Sequence, residues 1–177
     1  GKSLGEHIKA AECFDRNVIG TLSKPVFPSG GLVVLKGNLV PSGAILKASA
    51  ANQRLMNHSG PATVFDDYHD MLARVDSEDL NVTPDSVLVM RNTGPRGVPG
   101  MPEWAEIPVP VKLLRQGVRD VVRISDSRMS GTSFGTVVLH AAPEAAIGGP
   151  LAIVNDGDQI KLSVTERRLD LLIPEQE

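Results

Sequence analysis

Aromatic residues are scarce in this 177-residue chain, where Phe, Trp and Tyr together make up 3%. Any core must therefore be aliphatic, built from Val, Leu, Ile and Ala, and a hydrophobic content of 41% is enough to build one. There is a single cysteine, Cys13, which excludes an intrachain disulfide and leaves no thiolate set for zinc or an iron–sulfur cluster. A buried structural thiol is the role expected of it. An excess of positive charge is lacking too: the net charge is −3 and no Lys/Arg cluster stands out, which argues against a nucleic-acid partner. No apolar run approaches the ~18 residues of a membrane span, and residues 1–6 do not read as a signal peptide. The expectation is a soluble, cytoplasmic protein with no membrane partner, a single domain over residues 1–177.

Elements follow from periodicity and punctuation. Ser3 with Glu6 makes a capping box opening a helix over residues 4–12, with Leu4, Ile8 and Ala11 on one face. Pro25, Pro28, Gly30 and Gly31 break the chain before a strand over 31–36, and a second strand covers 44–48. Residues 49–62 read as polar and irregular, 62–65 as a strand, and 67–74 as a helix with an acidic start that suits the helix dipole. Strands over 86–91 and 120–125 enclose a short helix at 111–116. A strand over 136–140 precedes a helix start at 143–146 with Pro143 at its first position. The tail reads as a meander of strands 150–155, 159–164 and 167–173, in which Leu169, Leu171 and Ile173 alternate toward one buried face. Arg167 and Arg168 are expected in an exposed turn. Strands outnumber helices, which predicts an α/β domain with a mixed sheet curled toward a barrel and flanked by helices.

Two loops stand apart from ordinary turns. In the first, Gly94-Pro-Arg-Gly-Val-Pro-Gly-Met-Pro-Glu103, glycines recur at a spacing of three among prolines. The repeat is far too short for a collagen helix, so it reads as a stiff loop carrying one carboxylate, Glu103, at its end. In the second, over 125–136, Ser127, Ser130, Thr132, Ser133 and Thr136 crowd their hydroxyls beside Asp126, Arg123 and Arg128, with Gly131 and Gly135 allowing close backbone approach. Such a loop after a β-rich apolar segment suits a small polyoxygenated or anionic ligand; the plainer alternative is a Ser/Thr-rich turn.

Gly131-Thr-Ser-Phe-Gly135 also matches the G-x-S-x-G nucleophile elbow of hydrolases, with Ser133 as nucleophile. The partners fit poorly, since His140 follows closely with no acid between, although His58 or His69 could serve in principle. The four histidines show no common metal-ligand spacing. His69, among Asp66, Asp67 and Asp70, reads as part of a solvated face, and His140 as either a satisfied half-buried side chain or a ligand contact.

The segments 94–103, 125–136 and 140–150 (His-Ala-Ala-Pro-Glu-Ala-Ala-Ile-Gly-Gly-Pro), supported by residues 31–39 and Asp156-Gly-Asp158, together resemble the C-terminal part of the dihydroxy-acid and phosphogluconate dehydratase family. Met-Ser-Gly-Thr-Ser-Phe-Gly-Thr, with Pro-Glu-Trp-Ala-Glu after the Pro/Gly loop, is more similar to the sugar-acid (aldonate) dehydratases. The resemblance implies a swivelling β/β/α domain. It also implies an enzyme that takes water from a 2,3-dihydroxy acid to give a 2-keto-3-deoxy acid, using Mg²⁺ and an iron–sulfur cluster, [2Fe–2S] by the sugar-acid likeness. It makes Ser130 the base for the C2 proton, with Thr132 beside it, and Glu103 a Mg²⁺ ligand; Arg128, Ser133 and His140, in or just behind the same loop, are expected to contact the substrate. A larger N-terminal domain of the same enzyme, absent from this chain, would carry the cluster cysteines and the other metal ligands, and a homodimer or tetramer is expected. The chain alone is then expected to be inactive. A serine hydrolase, or a binding domain that kept the fold without the chemistry, remains the alternative.

Overall fold

The computed structural model describes residues 1–27 and 30–173, so Pro28 lies outside the described residues. The chain divides into two compact units, residues 1–30 and 31–177. In the first unit the predicted capping box forms: Glu6 Oε2 accepts from the Ser3 N–H at 2.7 Å and Ser3 Oγ from the Glu6 N–H at 3.3 Å. The helix it opens, α1 (Leu4–Ile8), stops well short of residue 12 and buries none of its residues. Short helices persist on tertiary packing rather than propensity, and the Leu4/Ile8 face is exposed. Cys13 is half-buried rather than buried, its Sγ donating to the Asp15 carbonyl at 3.3 Å.

The second unit is an eight-stranded mixed sheet. In chain order its strands are β1 (Val33–Leu35), β2 (Gly43–Leu46), β3 (Asn57–Phe65), β4 (Val87–Met90), β5 (Val122–Ser125), β6 (Val137–Ala142), β7 (Gln159–Ser163) and β8 (Arg168–Leu171). They lie side by side as β1-β2-β6-β5-β4-β3-β7-β8. The central four run parallel, and the outer pairs are antiparallel. Lys36, just after β1, bridges to Arg168, and Leu169 N donates to Lys36 O at 3.0 Å, which brings the two edge strands together. The sheet is thereby nearly closed, and the barrel-like mixed sheet expected from the sequence is present.

Its interior is aliphatic, as the scarcity of aromatics requires. Leu35, Leu46, Val64, Val89, Ile124, Val138, Ile160 and Leu169 all belong to one buried cluster. The alternate residues Phe65, Leu88 and Met90 join Met71 of α2 (Tyr68–Arg74) and Leu113 of α3 (Val111–Arg115) in a second cluster. Every residue of β4 and β5 is buried, as befits parallel strands covered on both faces. α2 starts where the acidic run predicts, with Asp67 Oδ1 accepting from the N–H groups of His69 and Asp70 at 2.7 and 2.8 Å.

Four local expectations are corrected. β3 begins at Asn57, inside the stretch read as irregular, because one strand serves two partners: residues 57–61 pair antiparallel with β7 and 62–65 parallel with β4. Neither half shows a sustained period of two. Pro143 does not start a helix; it follows a cis peptide bond, and a 3-10 turn begins two residues later at Ala145–Ile147. Residues Pro150–Ile153 form another 3-10 turn, with Pro150 at its start, so the expected three-stranded meander reduces to the β7–β8 hairpin. In β8 only Leu169 is fully buried; Leu171 is half-buried and Ile173, beyond the strand, is exposed. Arg167 lies in the turn before β8 and Arg168 is the strand's first residue, both exposed.

Candidate functional site

Ligands of parallel sheets gather beyond the carboxyl ends of the strands, and three loops meet there. A single buried carboxylate ties them. Asp126, directly after β5, accepts from Thr93 N at 2.9 Å, Thr93 Oγ1 at 3.0 Å and Asn92 N at 3.2 Å in the loop after β4. It also accepts from Ala145 N at 3.0 Å in the loop after β6. A carboxylate buried this deeply is tolerable only with its lone pairs used, and here four donors use them. Glu144, also buried, accepts from Arg96 N at 2.7 Å and so fixes the Pro/Gly loop a second time.

The hydroxyl-rich loop replaces the helix that usually joins neighbouring parallel strands. It returns from the end of β5 to the start of β6 in residues 126–136, and its far end is clamped by a buried ion pair. Asp120 and Arg123 meet at 2.8 Å with side chains 7% and 5% exposed. Asp120 Oδ2 accepts from Thr136 Oγ1 at 2.7 Å and Thr136 N at 2.9 Å, while Arg123 donates to Ile107 O at 3.0 Å. Gly135 packs against the Arg123 guanidinium at φ 105°, where a Cβ would collide with it. Gly131, by contrast, has open space at its Cβ position, so no steric demand accounts for it.

The segment after the Pro/Gly loop runs alongside. Trp104 stacks on Tyr68 of α2 at 4.2 Å between ring centroids, and Ala105 N donates to Arg128 O at 3.0 Å. Ser127 Oγ donates to Pro102 O at 3.1 Å. These contacts bring Glu103 to the hydroxyl-rich loop, where its Oε1 accepts from Arg128 Nη1 at 2.9 Å. Both side chains are 46% exposed. An ion pair this open contributes no more than about 1 kcal/mol, so either partner is free to engage a ligand. Two residues on, Ser130 Oγ and Thr132 Oγ1 share a hydrogen bond of 3.0 Å at the exposed apex of the loop. Ser133 Oγ donates to Glu106 Oε2 at 2.6 Å.

His140 sits in β6 at φ 52°, its N–H donating to Ser127 O at 3.0 Å. Its pKa is lowered from the ordinary histidine value, first by partial burial and then by the Arg128 charge, so the neutral imidazole is favoured. The structure thus brings Glu103, Arg128, Ser130, Thr132 and Ser133 onto one pair of adjoining segments, with His140 joined to them through Ser127. Sequence reasoning noted Asp126 beside the hydroxyls and Glu106 within a motif without seeing what either holds, and had no place for Asp120 or for Lys47, whose Nζ donates to the carbonyls of Gly131 and Ser133.

The nucleophile-elbow alternative fails on geometry. Ser133 is bonded to Glu106 and, among the described residues, to no histidine; His58 is bonded to the Asp85 carbonyl at 2.8 Å. His69 is exposed and edge-on to Trp104, in keeping with a solvated face. Among the described residues no group of three or more His, Cys, Asp and Glu side chains could hold a metal ion. One cysteine cannot ligate an iron–sulfur cluster, so this chain's donors do not fit that group. Glu103, an exposed hard-oxygen donor, fits as one ligand of an Mg²⁺ ion that keeps several waters. No helix among the described residues is long and apolar enough to cross a membrane.

Comparison with known proteins matches nearly the whole chain. The profile of the dihydroxy-acid/6-phosphogluconate dehydratase C-terminal family matches residues 17–177. The chain is 50% identical over 180 residues to 6-deoxy-6-sulfo-D-gluconate dehydratase of Pseudomonas putida, covering all of this chain and 31% of the relative. It is 50% identical over 177 residues to L-arabonate dehydratase of Azospirillum brasilense, covering all of it and 30% of the relative. A dihydroxy-acid dehydratase of Ignicoccus hospitalis is 43% identical over 177 residues, covering all of this chain and 32% of the relative. The chain therefore spans about a third of the length of the curated relatives it matches.

Proposed function

Because the chain belongs to the dihydroxy-acid/6-phosphogluconate dehydratase C-terminal family, we propose that it forms the C-terminal part of a hydro-lyase acting on a 2,3-dihydroxy sugar acid. The observation that carries this reading is the meeting of Glu103 with the loop that presents Ser130 Oγ against Thr132 Oγ1. A carboxylate, a guanidinium and paired hydroxyls on adjoining segments are the groups that binding a polyhydroxy acid and taking a proton from it require. The higher identity to sugar-acid dehydratases, 50% against 43% for a dihydroxy-acid dehydratase, supports the sugar-acid class.

Ser130 Oγ, as the alkoxide, takes the proton from C2 and becomes a hydroxyl, and Thr132 Oγ1 holds that oxygen in place through their shared hydrogen bond. Loss of the C2 proton and the C3 hydroxyl as water leaves an enol, which becomes the 2-keto-3-deoxy acid. Arg128 binds the substrate carboxylate with charge-assisted hydrogen bonds once Glu103 releases it. Neutral His140 both donates to and accepts from sugar hydroxyls. Ser133 contributes less to substrate binding than Arg128, because Glu106 holds its hydroxyl. Glu103 would be one ligand of an Mg²⁺ ion, which supplies positive charge where negative charge builds on the carboxylate side of the substrate. The remaining Mg²⁺ ligands, the thiolates of a [2Fe–2S] cluster and the handling of the leaving C3 hydroxyl belong to an N-terminal domain of the same polypeptide, in a homo-oligomer.

The test is turnover by the full-length protein offered a panel of aldonates, read as 2-keto acid formed, with Glu103→Gln alongside. The expected result is keto acid from at least one aldonate and a higher Mg²⁺ requirement in Glu103→Gln at unchanged thermal stability. No keto acid from any aldonate or branched dihydroxy acid would overturn the activity. A Glu103→Gln protein that loses stability while keeping its Mg²⁺ response would make that carboxylate structural.

A further inference from the structure

Lys47 follows β2 directly and is half-buried. Its ammonium pairs with no carboxylate among the described residues. Instead Nζ donates to Gly131 O and, at 3.5 Å, to Ser133 O, reaching across from a separate part of the sheet. The segment that carries it holds the same loop twice more, through Gly135 N to Ala50 O at 2.8 Å and Asn52 N to Thr136 Oγ1 at 3.0 Å. Within the loop, Ser133 N donates to Ser130 O at 3.1 Å and closes a turn over residues 130–133. The carbonyls of Ser130, Gly131 and Ser133 are therefore all engaged, and the hydroxyls of Ser130 and Thr132 are left together at the apex.

Partial burial of an ammonium is costly, and an uncharged donor could satisfy two carbonyls without that cost. A cation is the better choice where its field matters as well as its hydrogen bonds. Lysine also suits two divergent carbonyls better than arginine, whose planar fork matches paired parallel acceptors.

We propose that Lys47 is a positioning residue for Ser130: its ammonium fixes the 130–133 turn by its carbonyls and sets a positive charge against it, holding Ser130 Oγ at one place and favouring negative charge on that oxygen. This rests on Ser130 being the base. As a positioning residue Lys47 acts on Ser130, through the turn and its charge, and not on bound substrate. Its contribution therefore belongs to kcat rather than to KM.

The experiment compares Lys47→Met, Lys47→Ala and Ser130→Ala in the full-length protein. In Lys47→Met, which keeps length and loses charge, kcat should fall on the order of 100-fold with KM and melting temperature little changed. Ethylammonium added to Lys47→Ala should restore part of kcat, a rescue that a merely structural loss would not allow. A folded Lys47→Met with normal kcat overturns the inference, as does a loss confined to KM or melting temperature that ethylammonium leaves unrepaired. The two readings fail differently. Normal turnover by Ser130→Ala removes the base assignment and Lys47's role with it, whereas an inactive Ser130→Ala beside a normal Lys47→Met removes only the latter.

Discussion

Among single residues, His140 combines an unusual backbone with a shifted titration. Its φ of 52° is a conformation that Asn and His tolerate better than most side chains, so His140→Asn is the least disruptive replacement. Burial and the Arg128 charge both lower its pKa, so the unfolded chain binds the proton more readily than the folded one. The stability His140 contributes is present above the ordinary histidine value of about 6.5 and is lost as pH falls through the lower folded value. Titration of the ring by NMR should give a midpoint below about 6.5 that moves up in Arg128→Gln. A midpoint at or above that value, or one that Arg128→Gln leaves in place, would contradict the stated causes.

At the scale of elements, the site is a set of loops held by buried acids rather than by helices. Asp126 serves the loops after β4, β5 and β6 at once; of its four donors only the Thr93 hydroxyl has a second partner, Ser125 Oγ at 3.0 Å, which leaves the three backbone N–H groups dependent on it. Asp126→Ala leaves those donors unsatisfied in a buried place and should cost about 3 kcal/mol or more, measured by urea unfolding. An unchanged unfolding midpoint would mean that the loops are set by their own sequences. Much of this architecture could be read in advance. The capping box, the acidic start of α2, the strands β4 and β5 and the two unusual loops follow from local patterns that tertiary packing left undisturbed. What escaped was non-local. The first half of β3 is specified by pairing with β7, more than ninety residues away in the chain, since His58 faces Leu162. The 3-10 turn at Pro150–Ile153 competes with an apolar run that reads equally well as a strand. Lys47 looked like an ordinary polar residue beside a strand, and the tying role of Asp126 was not visible, because their partners lie in other loops. Glu103, Ser130 and Thr132 stood out because they carry motif signals, but nothing in their spacing required that Arg128 join the two loops.

For the whole molecule, the barrel-like sheet gathers the candidate residues on one side. Its parallel strands open toward one edge, and the loops there display Glu103, Arg128, Ser130 and Thr132, all within reach of solvent. On the proposed reading these residues supply a base, an anion-binding guanidinium and one metal ligand, and a single cysteine leaves no thiolate set for a cluster. The central claim is that the base is Ser130 and not its neighbour Ser133, the residue the hydrolase motif would select. The most direct measurement is aldonate turnover by full-length Ser130→Ala and Ser133→Ala proteins matched for iron content and melting temperature. Turnover abolished in Ser130→Ala and largely retained in Ser133→Ala is the predicted result, and near-normal turnover in Ser130→Ala with loss in Ser133→Ala would contradict it.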